Sequence, residues 1–151
     1  MQIRFMREAL KQAEIAFDKN EVPVGAVIVK SGKIIARGYN LRESGQNAIL
    51  HAEIVAINKA CKKLKNFRLE ECDIYVTLEP CPMCCGAIIM SRIKNVYFGA
   101  YDIKTGCAGS VYNLLADKHF NSNPAVTGGI MGQECGDILS KFFKNRRAAD
   151  I

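Results

Sequence analysis

The stretch CDIYVTLEPCPMCCGAIIMSR, residues 72–92, decides the fold of this chain. Residues 72–78 are mostly apolar and rich in β-branched side chains, which is typical of a short buried strand. Residues 82–92 follow with a helical pattern, and Pro82 marks the helix start because proline is tolerated in the first turn. A strand that leads directly into a helix predicts an α/β fold.

The rest of the chain alternates strands and helices around this unit. The pattern predicts an amphipathic helix over 2–18, a β-hairpin from 24–30 and 33–39, a helix over 51–64, a strand over 95–101, a short helix near 111–116, a last strand over 125–130 and a basic-ended helix over 133–147. Because strands and helices alternate in so short a chain, we predict one domain over residues 1–151. Its architecture should be a three-layer α/β/α sandwich around a mixed five-stranded sheet.

The composition is that of an ordinary globular protein. The chain has 151 residues, 49% of them hydrophobic and 24% charged, with a net charge of +6. The positive charge suits a polyanionic partner, although charge alone does not identify one. No apolar run approaches the roughly 18 residues that a membrane-spanning helix needs, and residues 1–17 lack the apolar core of a signal peptide. We therefore expect a cytoplasmic protein with no membrane association.

The cysteines indicate metal binding or burial and not a disulfide framework. Their number is odd and their spacing is irregular, and a cytosolic pool would keep such thiols reduced. The seven positions are 61, 72, 81, 84, 85, 107 and 135.

Two short motifs carry the chemistry: His51-Ala52-Glu53 and Pro80-Cys81-Pro82-Met83-Cys84. A catalytic zinc site takes three protein ligands and leaves its fourth position for water, and one imidazole with two thiolates makes three. His51 and the pair Cys81 and Cys84 each open a predicted helix, whose positive N-terminal end stabilises thiolates. We expect adjacent parallel strands to bring the two helix starts together around one Zn²⁺ ion.

Glu53 is not needed as a ligand, so its carboxylate is free to act as a general acid–base group beside the site. Two alternatives remain for the cysteine pair: a structural zinc site or a redox pair. A structural site needs a fourth ligand, and His119 is the only other histidine. Neither alternative explains Glu53.

The pattern H-x-E with P-C-x-x-C is the signature of the zinc-dependent nucleobase deaminases, in which the glutamate is the acid–base group. Within this cytidine deaminase-like superfamily, the chain resembles the bacterial tRNA-specific adenosine deaminases over nearly its whole length. The segments that carry the resemblance are EVPVGAVIV (21–29), YN (39–40), HAE (51–53), NFRLEECDIYVTLEPCPMC (66–84), SRI (91–93), FGAYDIKTGCAGS (98–110) and FFKNRR (142–147).

This resemblance implies a homodimer with one Zn²⁺ per subunit that converts adenosine to inosine at the wobble position of a tRNA anticodon. The base would be flipped into the pocket and attacked at C6 by a zinc-bound hydroxide, while Glu53 shuttles protons to N1 and to the departing amine. The resemblance also implies substrate contacts. Asn40 matches the residue that hydrogen-bonds the flipped adenine. The neighbouring anticodon-loop nucleotides would be contacted by Asp102, Lys104, Asn121, Phe143 and Arg147. Arg42 and Arg68 would add phosphate contacts.

The chain departs from the family pattern in two loops. Residues 47–50, Asn-Ala-Ile-Leu, stand where Asp-Pro-Thr-Ala is commoner, and Ser122 stands where a histidine is usual. Some substrate positions also have structural alternatives. Asn40 could end the hairpin strand, one of Phe142 and Phe143 should be core, and the basic cluster of 141–147 could be a solvated helix end.

Two alternative functions stay open. One is a free-base or nucleotide deaminase of the same fold that acts on guanine, cytosine or deoxycytidylate. The other is a non-catalytic RNA-binding protein that keeps zinc for structure.

Overall fold

A five-stranded sheet lies at the centre of the computed structural model, which describes residues 1–150. Four α-helices and one 3₁₀ turn surround the sheet. In chain order the elements are α1 (Gln2–Asp18), β1 (Gly25–Lys30), β2 (Lys33–Tyr39), α2 (Ala52–Leu64), β3 (Cys72–Leu78), α3 (Pro82–Ser91), β4 (Asn95–Ala100), the 3₁₀ turn (Leu114–Ala116), β5 (Ala125–Thr127) and α4 (Gly132–Ala149).

The sheet is mixed, with the strand order β2-β1-β3-β4-β5. Strand β1 runs antiparallel to both β2 and β3, while β3, β4 and β5 are parallel to one another. Ser31 and Gly32 join β1 to β2 with φ angles of 51° and 74°. Two positive φ angles at the centre of a two-residue turn suit the right-handed twist of the strands. The predicted hairpin is confirmed.

Helices cover both faces of the sheet. On one face, α2 and α3 pack against Ala26 and Ile28 of β1. On the other, residues of α1 and α4 pack against Val27 and Val29 of the same strand. Because successive side chains of a strand point to opposite faces, the apolar strand β1 contributes to the hydrophobic cores on both faces of the sheet. The predicted three-layer α/β/α sandwich is confirmed.

Two predicted elements are shorter than expected. Strand β5 ends at Thr127, and not at residue 130, because Gly128 packs against the Phe98 ring and Gly129 takes a φ angle of 86°. The helix expected near 111–116 is a single 3₁₀ turn. Within residues 1–150, no helix is both long and apolar enough to cross a bilayer.

Candidate active site

The side chains of His51, Cys81 and Cys84 converge at the starts of two helices. His51 is the N-cap of α2 and Cys81 is the N-cap of α3, and both have extended backbone conformations. Neither side chain caps its own helix, so both are free to project away from it. The Nδ1 atom of His51 lies 3.6 Å from Sγ of Cys81 and 3.7 Å from Sγ of Cys84. Within residues 1–150, these three form the only converging group of potential metal ligands.

The spacing of these atoms fits a tetrahedral zinc ion. Bonds of about 2.1 Å to nitrogen and 2.3 Å to sulfur, at a tetrahedral angle, place the two ligand atoms about 3.6 Å apart. The observed Nδ1–Sγ distances of 3.6 and 3.7 Å match this value. One imidazole and two thiolates are also the donor types that zinc takes in proteins. The three side chains therefore suit one Zn²⁺ ion, and within residues 1–150 no fourth histidine, cysteine or acidic side chain joins the group.

The strands that lead into the two helices are not adjacent, so the expectation of neighbouring parallel strands is wrong. Strands β2 and β3 are parallel to each other, but β1 lies between them and is antiparallel to both. The helix starts meet across β1 because α2 and α3 pack on the same face of the sheet. An eleven-residue loop, 41–51, then carries the chain from Asn40 to α2.

Hydrogen bonds among the three side chains shift the pKa values of all three groups. Hydrogen bonding from the Cys84 thiol, opposed by burial and helped by His51, lowers the pKa of Cys81 to about 4. Donating to Cys81, together with burial, raises the pKa of Cys84. The hydrogen bond to Cys81 raises the pKa of His51 despite burial. Metal binding displaces the protons from such groups, because zinc takes the thiolate and the neutral imidazole.

Glu53 lies in the first turn of α2 and is 3% exposed. Burial raises the pKa of its carboxyl group to about 7, well above the usual value of about 4.3. Its oxygens are not part of the converging ligand group. A carboxyl group that can gain or lose a proton near neutral pH is suited to general acid–base catalysis.

The three-ligand cluster opens into a cavity of ≈ 650 Å³. His51, Glu53 and Cys81 line one side of the cavity, and Val22, Val24 and Leu78 contribute apolar wall. Of the substrate-contact residues that the resemblance implies, the cavity is lined by Asn40, Arg42, Asp102, Lys104 and Phe143.

Asn40 is 7% exposed and makes two local hydrogen bonds. Its Nδ2 donates to the carbonyl of Val22, and its Oδ1 accepts from the N–H of Arg42. These bonds fix the chain where β2 ends, as the structural alternative proposed. They use one of two N–H donors and one of two acceptor lone pairs of the amide, so a further hydrogen bond of each kind remains available.

Three other implied contact residues do not line the cavity: Asn121, Arg147 and Arg68. All three are exposed, and Arg68 forms a surface ion pair with Glu70. The adjacent phenylalanines divide as predicted. Phe142 is 3% exposed and belongs to the core, whereas Phe143 is 42% exposed and lines the cavity.

Two buried carboxyl groups beside the cavity escaped the sequence reasoning. Glu79 is 2% exposed and accepts hydrogen bonds from the loop 102–110. Glu21 is 1% exposed and accepts hydrogen bonds from Glu43 and Ser44 in the loop that precedes His51. No local pattern could have identified either carboxyl group, because their hydrogen-bond donors lie more than 20 positions away in the chain.

The comparisons with known proteins agree with this geometry. The sequence profile of the cytidine and deoxycytidylate deaminase zinc-binding region matches residues 1–100. A tRNA-specific adenosine deaminase of Bacillus subtilis is 52% identical over 143 residues, which cover 95% of this chain and 89% of that protein. A second one, from Rickettsia bellii, is 49% identical and is covered over 99% of its length, with 94% of this chain aligned.

Solved structures lead to the same family. One, from studies of A-to-I editing by tRNA:A34 deaminases at the wobble position, has a TM-score of 0.87 and 40% identity. The match covers 90% of this chain and 99% of that one. The chain belongs to the cytidine and deoxycytidylate deaminase zinc-binding family and, within it, to the tRNA-specific adenosine deaminases.

Proposed function

We propose that this chain hydrolyses adenosine to inosine at the wobble position of a tRNA anticodon. The observation that carries the proposal is the buried Glu53 beside a three-ligand metal site that opens into a cavity. The curated relatives named tRNA-specific adenosine deaminases, which align over almost the whole chain, support the choice of substrate.

His51, Cys81 and Cys84 would hold the zinc ion. When bound, zinc lowers the pKa of a coordinated water molecule and so supplies a nucleophile near neutral pH. Glu53 would take one proton of the attacking water and pass it to N1 of the adenine. It would then take the second proton, from the new hydroxyl group at C6, and give it to the amine, which leaves as ammonia while the C6 carbonyl forms. Burial raises the pKa of this carboxyl group, which favours its taking up a proton near neutral pH.

The side chains at the cavity would select and orient the base. Asn40 offers the amide N–H and carbonyl oxygen that its local hydrogen bonds leave free. Lys104 and Arg42 place positive charge at the cavity, which suits the phosphates of a single-stranded loop. The Phe143 ring lies half-exposed beside them and offers a stacking surface.

The second candidate is a free-base deaminase. A solved guanine deaminase from Bacillus subtilis is 42% identical, with a TM-score of 0.62, but the match covers only 65% of this chain and 63% of that one. The metal ligands and the acid–base group would serve either reaction. The near-complete alignment with tRNA-specific relatives favours the tRNA substrate.

A rate comparison tests the choice between them. Purified zinc-loaded protein is incubated with an anticodon stem-loop that carries adenosine at the wobble position, and separately with free guanine, cytosine and deoxycytidylate. Inosine is measured by mass spectrometry of the digested RNA, and ammonia by a coupled assay. Of these four substrates, we expect only the stem-loop to be converted rapidly. Rapid deamination of a free base, with the stem-loop untouched, would overturn the proposal.

We also propose that residues 1–151 form one domain and that two copies associate as a homodimer. The resemblance to the tRNA-specific adenosine deaminases is the ground for the dimer. Sedimentation velocity should give a mass near twice 16.7 kDa. A monomer at micromolar concentration would contradict the dimer.

The protein is proposed to work in the cytoplasm. None of its seven cysteines is in a disulfide, as a reducing compartment favours. Cell fractionation with an antibody to the chain tests the location, and recovery in an oxidising compartment would contradict it.

A further inference from the structure

The buried carboxyl group of Glu79 accepts hydrogen bonds from the loop 102–110. Its Oε1 accepts from the N–H of Asp102 at 3.1 Å and from the Ser110 hydroxyl. Its Oε2 accepts from the N–H groups of Ala108 and Ser110, both at 3.0 Å. One buried side chain therefore joins the two ends of this loop. Glu79 is not one of the three metal ligands.

Backbone contacts place the loop against the metal site. The N–H of Cys107 donates to the carbonyl of Pro80, which directly precedes the ligand Cys81. Gly106 packs so closely on Glu79 that a side-chain Cβ there would clash with the carboxyl group. The loop thus rests on the two residues, Glu79 and Pro80, that connect β3 to the start of α3.

The same loop supplies part of the cavity. Asp102, Ile103, Lys104 and Thr105 all line it. Within the loop, the Asp102 carboxylate accepts from the N–H groups of Lys104 and Thr105 and from the Thr105 hydroxyl. The side chain of Asp102 therefore holds Lys104 and Thr105 in place, while its backbone N–H donates to Glu79.

We propose that Glu79 is a positioning residue for substrate binding: it holds the loop 102–110 in register with the zinc-binding start of α3. The proposal rests on the proposed function, because the loop matters only for a substrate that extends beyond the flipped base. Buried hydrogen bonds to a charged acceptor are strong, and an unpaired donor in their place is costly. Without Glu79, the loop would lose the hydrogen bonds that fix the position of Lys104 relative to the metal site.

The variant Glu79→Gln tests this with little change of shape. The amide keeps one acceptor oxygen, which can retain the Ala108 and Ser110 N–H groups, but its NH₂ cannot accept from the N–H of Asp102. The matched control is Asp73→Asn. It makes the same chemical change near the start of β3, where Asp73 accepts a hydrogen bond from Asn95.

Three readouts are compared in the zinc-loaded full chain. We expect Glu79→Gln to retain one zinc per chain, to raise KM for the stem-loop about tenfold or more, and to change kcat by less than about threefold. Amide hydrogen exchange should accelerate at Asp102 in Glu79→Gln and remain unchanged there in Asp73→Asn. An unchanged KM, or faster exchange at this amide in both variants, would overturn the proposal. Loss of zinc would likewise overturn it, since Glu79 would then act through the metal site.

Amide exchange also separates this proposal from the proposed function, because it is read without substrate. If the wild-type chain does not convert the stem-loop, the proposed function fails, while the exchange rates still decide whether Glu79 holds the loop.

A second variant covers the case in which Glu79→Gln does not fold. Gly106→Ala pushes on the same carboxyl group from the loop side and should raise KM in the same way. Its control is Gly136→Ala in α4, where an added Cβ meets only the methyl group of Ala100 at 4.0 Å. A wild-type KM in Gly106→Ala would contradict the proposal.

Discussion

The Nδ1 atom of His51 lies 3.6 Å from the Sγ atom of Cys81, although the two residues are 30 positions apart in the chain. The contact joins the N-caps of α2 and α3, and both residues line the cavity. Zinc binding should therefore stabilise the packing of the two helices as well as supply chemistry.

Replacement of His51 should abolish zinc binding. At free zinc of about 100 times its Kd, the metal stabilises the wild-type chain by about 2.7 kcal/mol, which His51→Ala should lose. The measurement is metal content by mass spectrometry, together with thermal unfolding with and without zinc. The control is His119→Ala, because the His119 side chain is 94% exposed and pairs only with Asp117. Equal zinc content in the two variants would refute the ligand assignment.

The charge of Lys104 should contribute to RNA affinity. Lys104→Ala should weaken stem-loop binding. It should also reduce the slope of log Kd against log salt concentration by about one, because one phosphate contact is lost. Lys33→Ala serves as the control, because Lys33 lies at the end of β2 that is far from the cavity. Lys33 begins β2 at the hairpin turn, whereas the cavity residue Asn40 follows the last residue of β2. Fluorescence anisotropy with a labelled stem-loop at several salt concentrations measures both. Identical salt slopes for the two variants would remove Lys104 from the interface.

Glu21 should make the loop before His51 sensitive to acid. Burial would raise the pKa of Glu21, but hydrogen bonds from Ser44 and Glu43, with the charge of Arg146, outweigh it and leave the pKa below its usual value. A lowered pKa in the folded state stabilises the fold above the unfolded-state pKa, and this stability is lost as pH falls through the folded-state value.

Glu21→Gln should therefore lower the free energy of unfolding by roughly 2 kcal/mol at pH 7. The difference from wild type should shrink as the pH falls below about 4. Urea unfolding of both zinc-loaded chains at several pH values, with metal content checked at each, measures it. A difference that grew on acidification would contradict the role of the Glu21 carboxylate.

Local sequence patterns predicted most of the elements and singled out the two short motifs, because each depends on residues that are close in the chain. The order of the strands was harder to predict. The run Ala26-Val27-Ile28-Val29 is apolar on both faces, which indicates an interior strand, yet only the structure places β1 between β2 and β3. The expectation that adjacent strands feed the two helices failed for this reason.

The roles of Glu21 and Glu79 depend on contacts that local patterns do not contain. The donors to Glu79 come from residues up to 31 positions away, and those to Glu21 from residues 22 and 23 positions away. Until such loops are placed, a buried carboxylate cannot be told from a surface one by its residue type. The substrate contacts expected of Asn121 and Arg147 stay predictions, since neither residue lines the cavity.

The most direct test of the account is the zinc content and turnover of Glu53→Gln. This substitution preserves the shape of a side chain that is 3% exposed and removes its ability to shuttle protons. We predict one zinc per chain, a fold like that of wild type, and a kcat on the stem-loop that is lower by about 10²-fold or more. Turnover close to that of the wild-type enzyme in Glu53→Gln, with zinc bound, would contradict the account.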